Sequence, residues 1–184
     1  EIVKNAPADG YPLLVAGSGP LAINPAIYAK LPYDTLRDFQ PVGMIAAVPN
    51  VLVVAKDFPA GNLQEVIAYA RQQQDRLNYA SSGIGVPNHL IMEMLKTAAG
   101  LRTTHVPYKG AAASITALVA GEVGLMFETA AAVVPHMKSG RIKVIAVSSP
   151  QRSLALPEVP TVAEAGNLPG FGAQGWSALV APAG

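Results

Sequence analysis

Leu77-Asn78-Tyr79-Ala80-Ser81-Ser82-Gly83-Ile84-Gly85-Val86-Pro87-Asn88-His89, an apolar-periodic run to Gly100, and then Thr103-Thr104-His105-Val106-Pro107-Tyr108-Lys109-Gly110 form the stretch that decides the fold. It reads as a short strand, a Ser/Gly loop opening into a helix, a second short strand, and a second Gly-containing loop opening into another helix. Strands that alternate with helices in this way predict right-handed βαβ units and a mostly parallel sheet. Both loops lead into helix N-termini, where free backbone N–H groups and the positive end of the macrodipole favour an anion. The chemistry predicted is capture of a carboxylate or phosphate by main-chain and hydroxyl donors.

Upstream, Tyr11 to Ala16 reads as a buried strand running into Gly17-Ser18-Gly19-Pro20-Leu21-Ala22. That loop has the form G-x-G-x-x-A, which allows a nucleotide-using α/β enzyme as an alternative reading. Pro20 inside the loop and Asp38 in a polar turn count against it, and a plain tight turn with backbone donors is the competing reading. Leu31 to Gln40 has neither period and is expected to be an ordered loop. Val42 to Ala55 reads as two strand pieces broken at Pro49-Asn50, either a crossing between lobes or a core strand with a bulge.

Asn62-Leu63-Gln64-Glu65 has capping-box spacing, and Leu63, Val66, Ile67 and Ala70 follow on one helical face. Asn88 is expected to cap the next helix, with Leu90, Ile91, Met94, Leu95 and Ala98 buried and Gly100 as its stop. A helix ending at Gly121, a buried strand Val123 to Phe127, a helix closed by Gly140 and a strand Ile142 to Val147 come next. Thr161-Val162-Ala163-Glu164 is a second capping box, and Trp176 to Ala181 is a last apolar strand. In a parallel sheet, the loops at Gly17, Ser81, Tyr108 and Glu128 all lie at strand C-terminal ends, where ligands collect.

The 184 residues are 51% hydrophobic and 14% charged with a net charge of +1, which excludes a solvated disordered chain and disfavours nucleic acid as a partner. No cysteine is present, so disulfides and thiol chemistry are excluded. No apolar run reaches the roughly 18 residues of a membrane span. His89, His105 and His136 lack carboxylates at ligand spacing, so no metal site is expected, and no cofactor. No G-x-S-x-G or H-E-x-x-H motif occurs and no His or Asp partner is evident beside Ser18, Ser81 or Ser82, so no catalytic residue is assigned.

The candidate binding residues are therefore loop donors. Ser81, Ser82 and Gly83 offer hydroxyls and N–H groups, or else ordinary turn chemistry. Tyr108, Lys109 and Gly110 add a phenol and a cation at a helix start. Glu128 either accepts from a ligand or caps the helix that follows it. His89, at a helix start, is the histidine placed to face the crevice.

Ala6-Pro7-Ala8-Asp9-Gly10-Tyr11-Pro12-Leu13-Leu14, Leu77 to Gly83, His105-Val106-Pro107-Tyr108-Lys109-Gly110, Met126-Phe127-Glu128 and the run from Leu156-Pro157-Glu158-Val159-Pro160 through Thr161 to Gly166 carry a resemblance. On them, the chain resembles the Bug-type solute-binding proteins of tripartite tricarboxylate transporters over essentially its whole length. The resemblance implies a type II periplasmic-binding-protein-like α/β fold of two Rossmann-like lobes with the ligand in an interlobe cleft. It places residues 1–48 in lobe 1, 49–170 in lobe 2 and 171–184 in the return crossing.

Carried over by position, it puts Gly17, Ser18 and Gly19 on the ligand from lobe 1. From lobe 2 it puts Ser81, Ser82, Gly83, Gly85, Val86 and Asn88, with Tyr108, Lys109, Gly110 and Ala111, and Glu128 at the cleft floor. The family commonly has Asp where this chain has Glu128. Members usually begin with an earlier Pro/Gly-rich loop and end with further helices, so an internal fragment with an incomplete first lobe is expected. Implied ligands are small organic acids: di- or tricarboxylates, aromatic acids, and in some members amides or amino acids. Membrane permease subunits are the implied partners and the periplasm the implied location. A ligand-sensing domain of a signalling system is a further alternative that shares the cleft.

Overall fold

The computed structural model describes all residues, 1–184. The chain divides into two compact units, Glu1–Val48 with Gly175–Gly184, and Pro49–Gln174. The second unit ends four residues later than the expected return at 171, because Phe171 is buried in its core and the Ala173 N–H donates to the Ser148 carbonyl.

The first unit holds β1 (Leu14–Gly17), a π-helical turn (Gly19–Ile23) continuing into α1 (Asn24–Ile27), α2 (Thr35–Asp38), β2 (Phe39–Val48) and, from the chain's end, β8 (Gly175–Pro182). Strand order is β1-β8-β2, with both pairs antiparallel. The strand expected from Tyr11 starts only at Leu14, and the expected loop 31–40 contains α2, which Asp34 caps by accepting from the Leu36 and Arg37 N–H groups. β8 separates β1 from β2, so the parallel βαβ unit that a dinucleotide fingerprint requires is absent around Gly17–Ala22. Asp38 is occupied by Lys4, Arg37 and the Asp34 N–H.

The second unit runs β3 (Asn50–Ala55), α3 (Leu63–Gln73), β4 (Asn78–Ser81), α4 (Pro87–Ala99), β5 (Thr104–Pro107), α5 (Ala111–Ala120), β6 (Leu125–Thr129), α6 (Ala130–Lys138), β7 (Ile142–Val147) and α7 (Val162–Gly166). Sheet order is β5-β4-β6-β3-β7. The βαβ expectation holds for β4, β5 and β6, which are parallel. β3 is antiparallel to both β6 and β7, so the sheet is mixed, with β3 alone running against the other four strands. The reason is the direction of entry: β3 follows directly on the first unit, and Asn50 pairs with Thr129, the last residue of β6. β3 therefore starts at the edge where β4, β5 and β6 end.

Period-two alternation in Val51-Leu52-Val53-Val54 buries both faces of β3. Leu52 and Val54 pack with Leu63, Val66, Met92 and Leu95, while Val51 and Val53 pack with Ile115, Leu118 and Val133. On α3 the expected face, Leu63, Val66, Ile67 and Ala70, is the buried one, and Asn62 accepts from the Glu65 N–H. The reciprocal bond of that box slips by one residue, with Glu65 accepting from the Gly61 N–H at 2.7 Å.

The expected face of α4 is rotated. Ile91, Met92, Leu95 and Ala99 are buried beside Asn88, and Leu90, Met94 and Ala98 instead line a groove of about 750 Å³ with Leu168 to Phe171. Met92 is 0% exposed and Met94 44%. Met92→Ala is accordingly expected to cost about 2–5 kcal/mol in urea unfolding. Met94→Ala should stay within about 0.5 kcal/mol, and equal costs for the two would refute this rotation.

Candidate functional site

Ser81 lies opposite Pro107, and Ala80 opposite Met126, so the loops after β4, β5 and β6 leave the sheet at one edge. Two main-chain bonds extend the ladder into these loops: the Tyr108 N–H donates to the Ser81 carbonyl (2.9 Å) and the Gly110 N–H to the Ser82 carbonyl (3.1 Å). The helices that start here, α4, α5 and α6, carry no side-chain cap and no acidic residue in their first turns. By contrast, α3 and α7 are capped by Asn62 and Thr161 and have Glu65 and Glu164 in their first turns. First-turn amides lack the regular intrahelical partner; at α5 this leaves Ala111, Ala112 and Ala113 as open donors, whereas at α4 Pro87 has no N–H and His89 donates to the Val86 carbonyl, so only the Asn88 amide remains. At α5 the N-cap is Gly110, with φ +98°, a backbone that favours glycine, and Ala111, Ala112 and Ala113 follow. The side chains of this first turn are no larger than a methyl group.

Glu128 organises the edge from beneath. It is 3% exposed, and three donors reach it: Ser82 Oγ and Asn88 Nδ2 (3.0 Å) at Oε2, and the Thr129 N–H (2.8 Å) at Oε1. Asn88 Nδ2 also donates to Ser82 Oγ (2.8 Å), and Asn88 Oδ1 accepts from the Ser82 N–H (3.4 Å). Asn88 is thus not the cap of α4, whose N-cap is Val86 with Pro87 at the first helical position. Its amide instead ties the Ser82 loop to Glu128.

Behind the loop is an aromatic stack. His105 lies parallel to His89 (centroids 4.1 Å apart) and to Tyr79 (4.8 Å). His105 Nε2 is 2.6 Å from Ser81 Oγ, which also donates to the Gly83 carbonyl at 2.8 Å. The partner that sequence reasoning did not find beside Ser81 is therefore His105, brought there because β4 and β5 pair Tyr79 with His105. The pair is no catalytic dyad: Ser81 is 0% exposed, and its hydroxyl meets no substrate. The Gly85 N–H donates to His89 Nδ1 at 3.3 Å, so that nitrogen carries no proton. The Tyr79 hydroxyl donates to Glu93 Oε1, and Lys96 Nζ donates to the same oxygen at 2.7 Å. Burial, then Glu93, push the Tyr79 phenol up. Burial alone would raise Glu93, but Lys96 and Tyr79 outweigh it and hold Glu93 below the usual range. Burial pulls His89 down, and burial with the neighbouring His89 pulls His105 down to about 4.

Residues 1–184 match the family model described as "Tripartite tricarboxylate transporter family receptor" along their full length. The chain belongs to this receptor family. The family is one of receptors rather than enzymes, which removes the nucleotide-enzyme alternative. Among relatives, the chain is 36% identical over 184 residues to the UPF0065 protein of the tcbD-tcbE intergenic region of Pseudomonas sp. (strain P51), covering 100% of this chain and 54% of the relative. It is 35% identical over 185 residues to BugT of Bordetella pertussis, covering 100% and 56%. Among solved structures, an R. palustris protein with adipate superposes with TM-score 0.93 at 39% identity, covering 100% of this chain and 61% of that one. MatC of Rhodopseudomonas palustris with bound malate gives TM-score 0.86 at 33% identity, covering 100% and 62%. The periplasmic binding protein BugD gives 0.88 at 32%, covering 99% and 60%. The chain thus spans about half the length of these curated relatives and three-fifths of the solved ones.

Of the residues named from sequence and family resemblance, Ser81, Ser82, Gly83, Gly85, Val86, Asn88, His89, Tyr108, Lys109, Gly110, Ala111 and Glu128 all sit at or just behind this one edge of the second unit. The Tyr108 hydroxyl turns away, donating to Glu122 (3.4 Å) beyond the far end of α5. His89 lies in the stack. Lys109 is exposed on the turn before α5. Gly17, Ser18 and Gly19 belong to the first unit, where Ser18 is 6% exposed and its hydroxyl has no partner. Sequence reasoning missed the Tyr79–Glu93–Lys96 support and the amides of Ala112 and Ala113. The available signal was the lack of a capping residue ahead of α4 and α5.

A histidine pulled from its ordinary 6.5 to about 4 binds its proton more weakly in the folded than in the unfolded state. Stability is therefore complete above about 6.5 and falls as pH drops toward 4. The melting temperature should follow that course, and His105→Gln, which keeps a donor toward Ser81, should flatten it relative to the parent.

Proposed function

We propose that this receptor takes a small organic carboxylate in the periplasm and delivers it to the membrane permease of a tripartite transporter. One carboxylate group of the ligand lies on the main-chain amides at the starts of α4 and α5. The observation that carries this reading is the contrast in capping: every helix starting at the Ser81–Gly110–Thr129 edge is open, whereas the other two helices of the same unit are closed by Asn62 and Thr161. A helix left uncapped there reserves its amides and its positive dipole end for an anion. The relatives solved with adipate and malate both hold dicarboxylates, which supports a ligand of that class.

Magnitudes bound the proposal. Hydrogen bonds to a charged group contribute about 1.5–3 kcal/mol each, so three give about 4.5–9. Association costs at least about 4 kcal/mol, and micromolar affinity needs about 8 net. The amides of this edge do not reach that alone, and the ligand takes further contacts elsewhere.

Ala111→Pro tests the role of these amides. Proline is tolerated at the first helical position but has no N–H, so one donor is deleted while α5 keeps its geometry. Carboxylate affinity by titration calorimetry should fall about 10- to 100-fold, with the ligand-free melting temperature within a few degrees of the parent. Unchanged affinity in a folded variant would remove the amide start of α5 from the site.

A further inference from the structure

Two histidines hold the turn Gly83-Ile84-Gly85-Val86 to the rest of the second unit. At the near end of the turn, the Gly83 carbonyl accepts from Ser81 Oγ (2.8 Å) and the Gly83 N–H donates back to that oxygen (3.3 Å). A serine hydroxyl has one proton to give, so with that proton on Gly83 it accepts from His105 Nε2 at 2.6 Å, and the bare nitrogen of neutral His105 is Nδ1. At the far end, the His89 N–H donates to the Val86 carbonyl (3.1 Å), and the His89 ring accepts from the Gly85 N–H through Nδ1 (3.3 Å). Gly85 is buried, so its amide depends on that ring nitrogen rather than on water. The two rings stack with centroids 4.1 Å apart and planes 16° from parallel.

A proton affects the two rings differently. Added to His105, it goes to Nδ1 and leaves the bond to Ser81 in place. Added to His89, it goes to the nitrogen that receives Gly85, turns that acceptor into a donor, and sets two N–H groups against each other across 3.3 Å. The charges around His89 come from three elements. On α4, Lys96 opposes a positive ring and Glu93 favours it, while Glu93 itself accepts from Lys96 and from the Tyr79 hydroxyl of β4. On β5, His105 is the stacked neighbour, and on β6, Glu128 is bonded to Ser82 and Asn88. His89 is also the third residue of α4, where the positive end of the helix dipole disfavours a charged ring. Burial draws His89 below its ordinary 6.5, which keeps the ring neutral at neutral pH.

We infer that His89 is an acid-operated latch: its bare Nδ1 holds the Gly83–Val86 turn closed, and protonation there frees the turn and weakens the hold on the ligand. The latch stands on the hydrogen bonds of the turn, whereas its effect on a ligand rests on the carboxylate reading above, in which this turn leads into α4. The closed turn excludes a proton that the open turn accepts. Affinity therefore falls as pH drops, by at most about tenfold per pH unit for one proton.

The test is an NMR titration of the folded, ligand-free protein from about pH 7.5 to about pH 4.5, across the range in which histidine titrates. It reads the imidazole nitrogens of His89 and the amide of Gly85, with the amide of Gly121, at the far end of α5, as control. At neutral pH Nδ1 should carry no proton, and on acidification the Gly85 amide should shift with the midpoint of the His89 ring while Gly121 stays in place. A proton on Nδ1 at neutral pH, or a Gly85 amide indifferent to the ring, overturns the latch. In His89→Asn, whose Oδ1 can accept without titrating, the Gly85 shift should vanish. Titration calorimetry with succinate, malate and adipate over the same range reads the effect on binding. For whichever acid binds, the parent should lose up to about tenfold more affinity per pH unit than His89→Asn, whose remaining slope is the ligand's own protonation. Equal slopes overturn the effect on the ligand. No binding of any of the three by the folded protein overturns the carboxylate reading, and the Gly85 titration then decides the latch alone.

Discussion

A carboxyl group carried into a place that water does not reach must be met by donors, and Glu128 imposes that constraint on the second unit. Three meet it, and each has a consequence. Because Asn88 turns inward to Glu128, it does not cap α4. Because the Thr129 N–H points back to Glu128, the β6–α6 junction is fixed by main chain rather than by a side-chain cap. Because Ser82 donates to the same oxygen as Asn88, the Ser/Gly loop is held down over the end of β6. One buried acid thus sets the loop and leaves the starts of α4 and α6 without a side-chain cap.

How much of this was legible in the sequence depends on how local the determinants are. The caps at Asn62 and Thr161 involve residues three apart and read directly, as do the buried face of α3 and the αL glycine that ends α4 at Gly100. The rotation of α4 did not read. Leu90, Met94 and Ala98 form one apolar stripe, and Ile91, Leu95 and Ala99 form another; periodicity cannot rank them. What settles the choice is Asn88, a polar residue whose burial makes sense only once Glu128, 40 positions away, is beneath it. The direction of β3 and the meeting of Ser81 with His105 are likewise products of strand pairing rather than of any short window.

The first unit shows the opposite balance. Pro41 and two register shifts interrupt β2, the outer strand of a three-stranded sheet, and Val15, Val42, Met44 and Ile45 remain exposed. Proline and irregular pairing belong on an edge strand, where they discourage pairing with another chain. The extended buried core lies in the second unit, on both faces of its sheet, and the residues that could hold a ligand cluster where that core is firmest.

The neutral aromatic stack completes the electrostatic argument. An imidazolium behind the Ser81 loop would add a full positive charge to a surface already made positive by helix ends. Burial instead keeps His89 and His105 uncharged over the range in which the loop must hold its shape, and the bare Nδ1 of His89 anchors the Gly85 N–H. Apart from the exposed and screened Lys109, the positive potential comes from main-chain dipoles, each worth about half a charge. In the role proposed for it, such a surface would select a carboxylate by the direction of its donors more than by net attraction. Donors aimed by helix starts would, in the proposed receptor role, discriminate without the tight, desolvated ion pair that slows release.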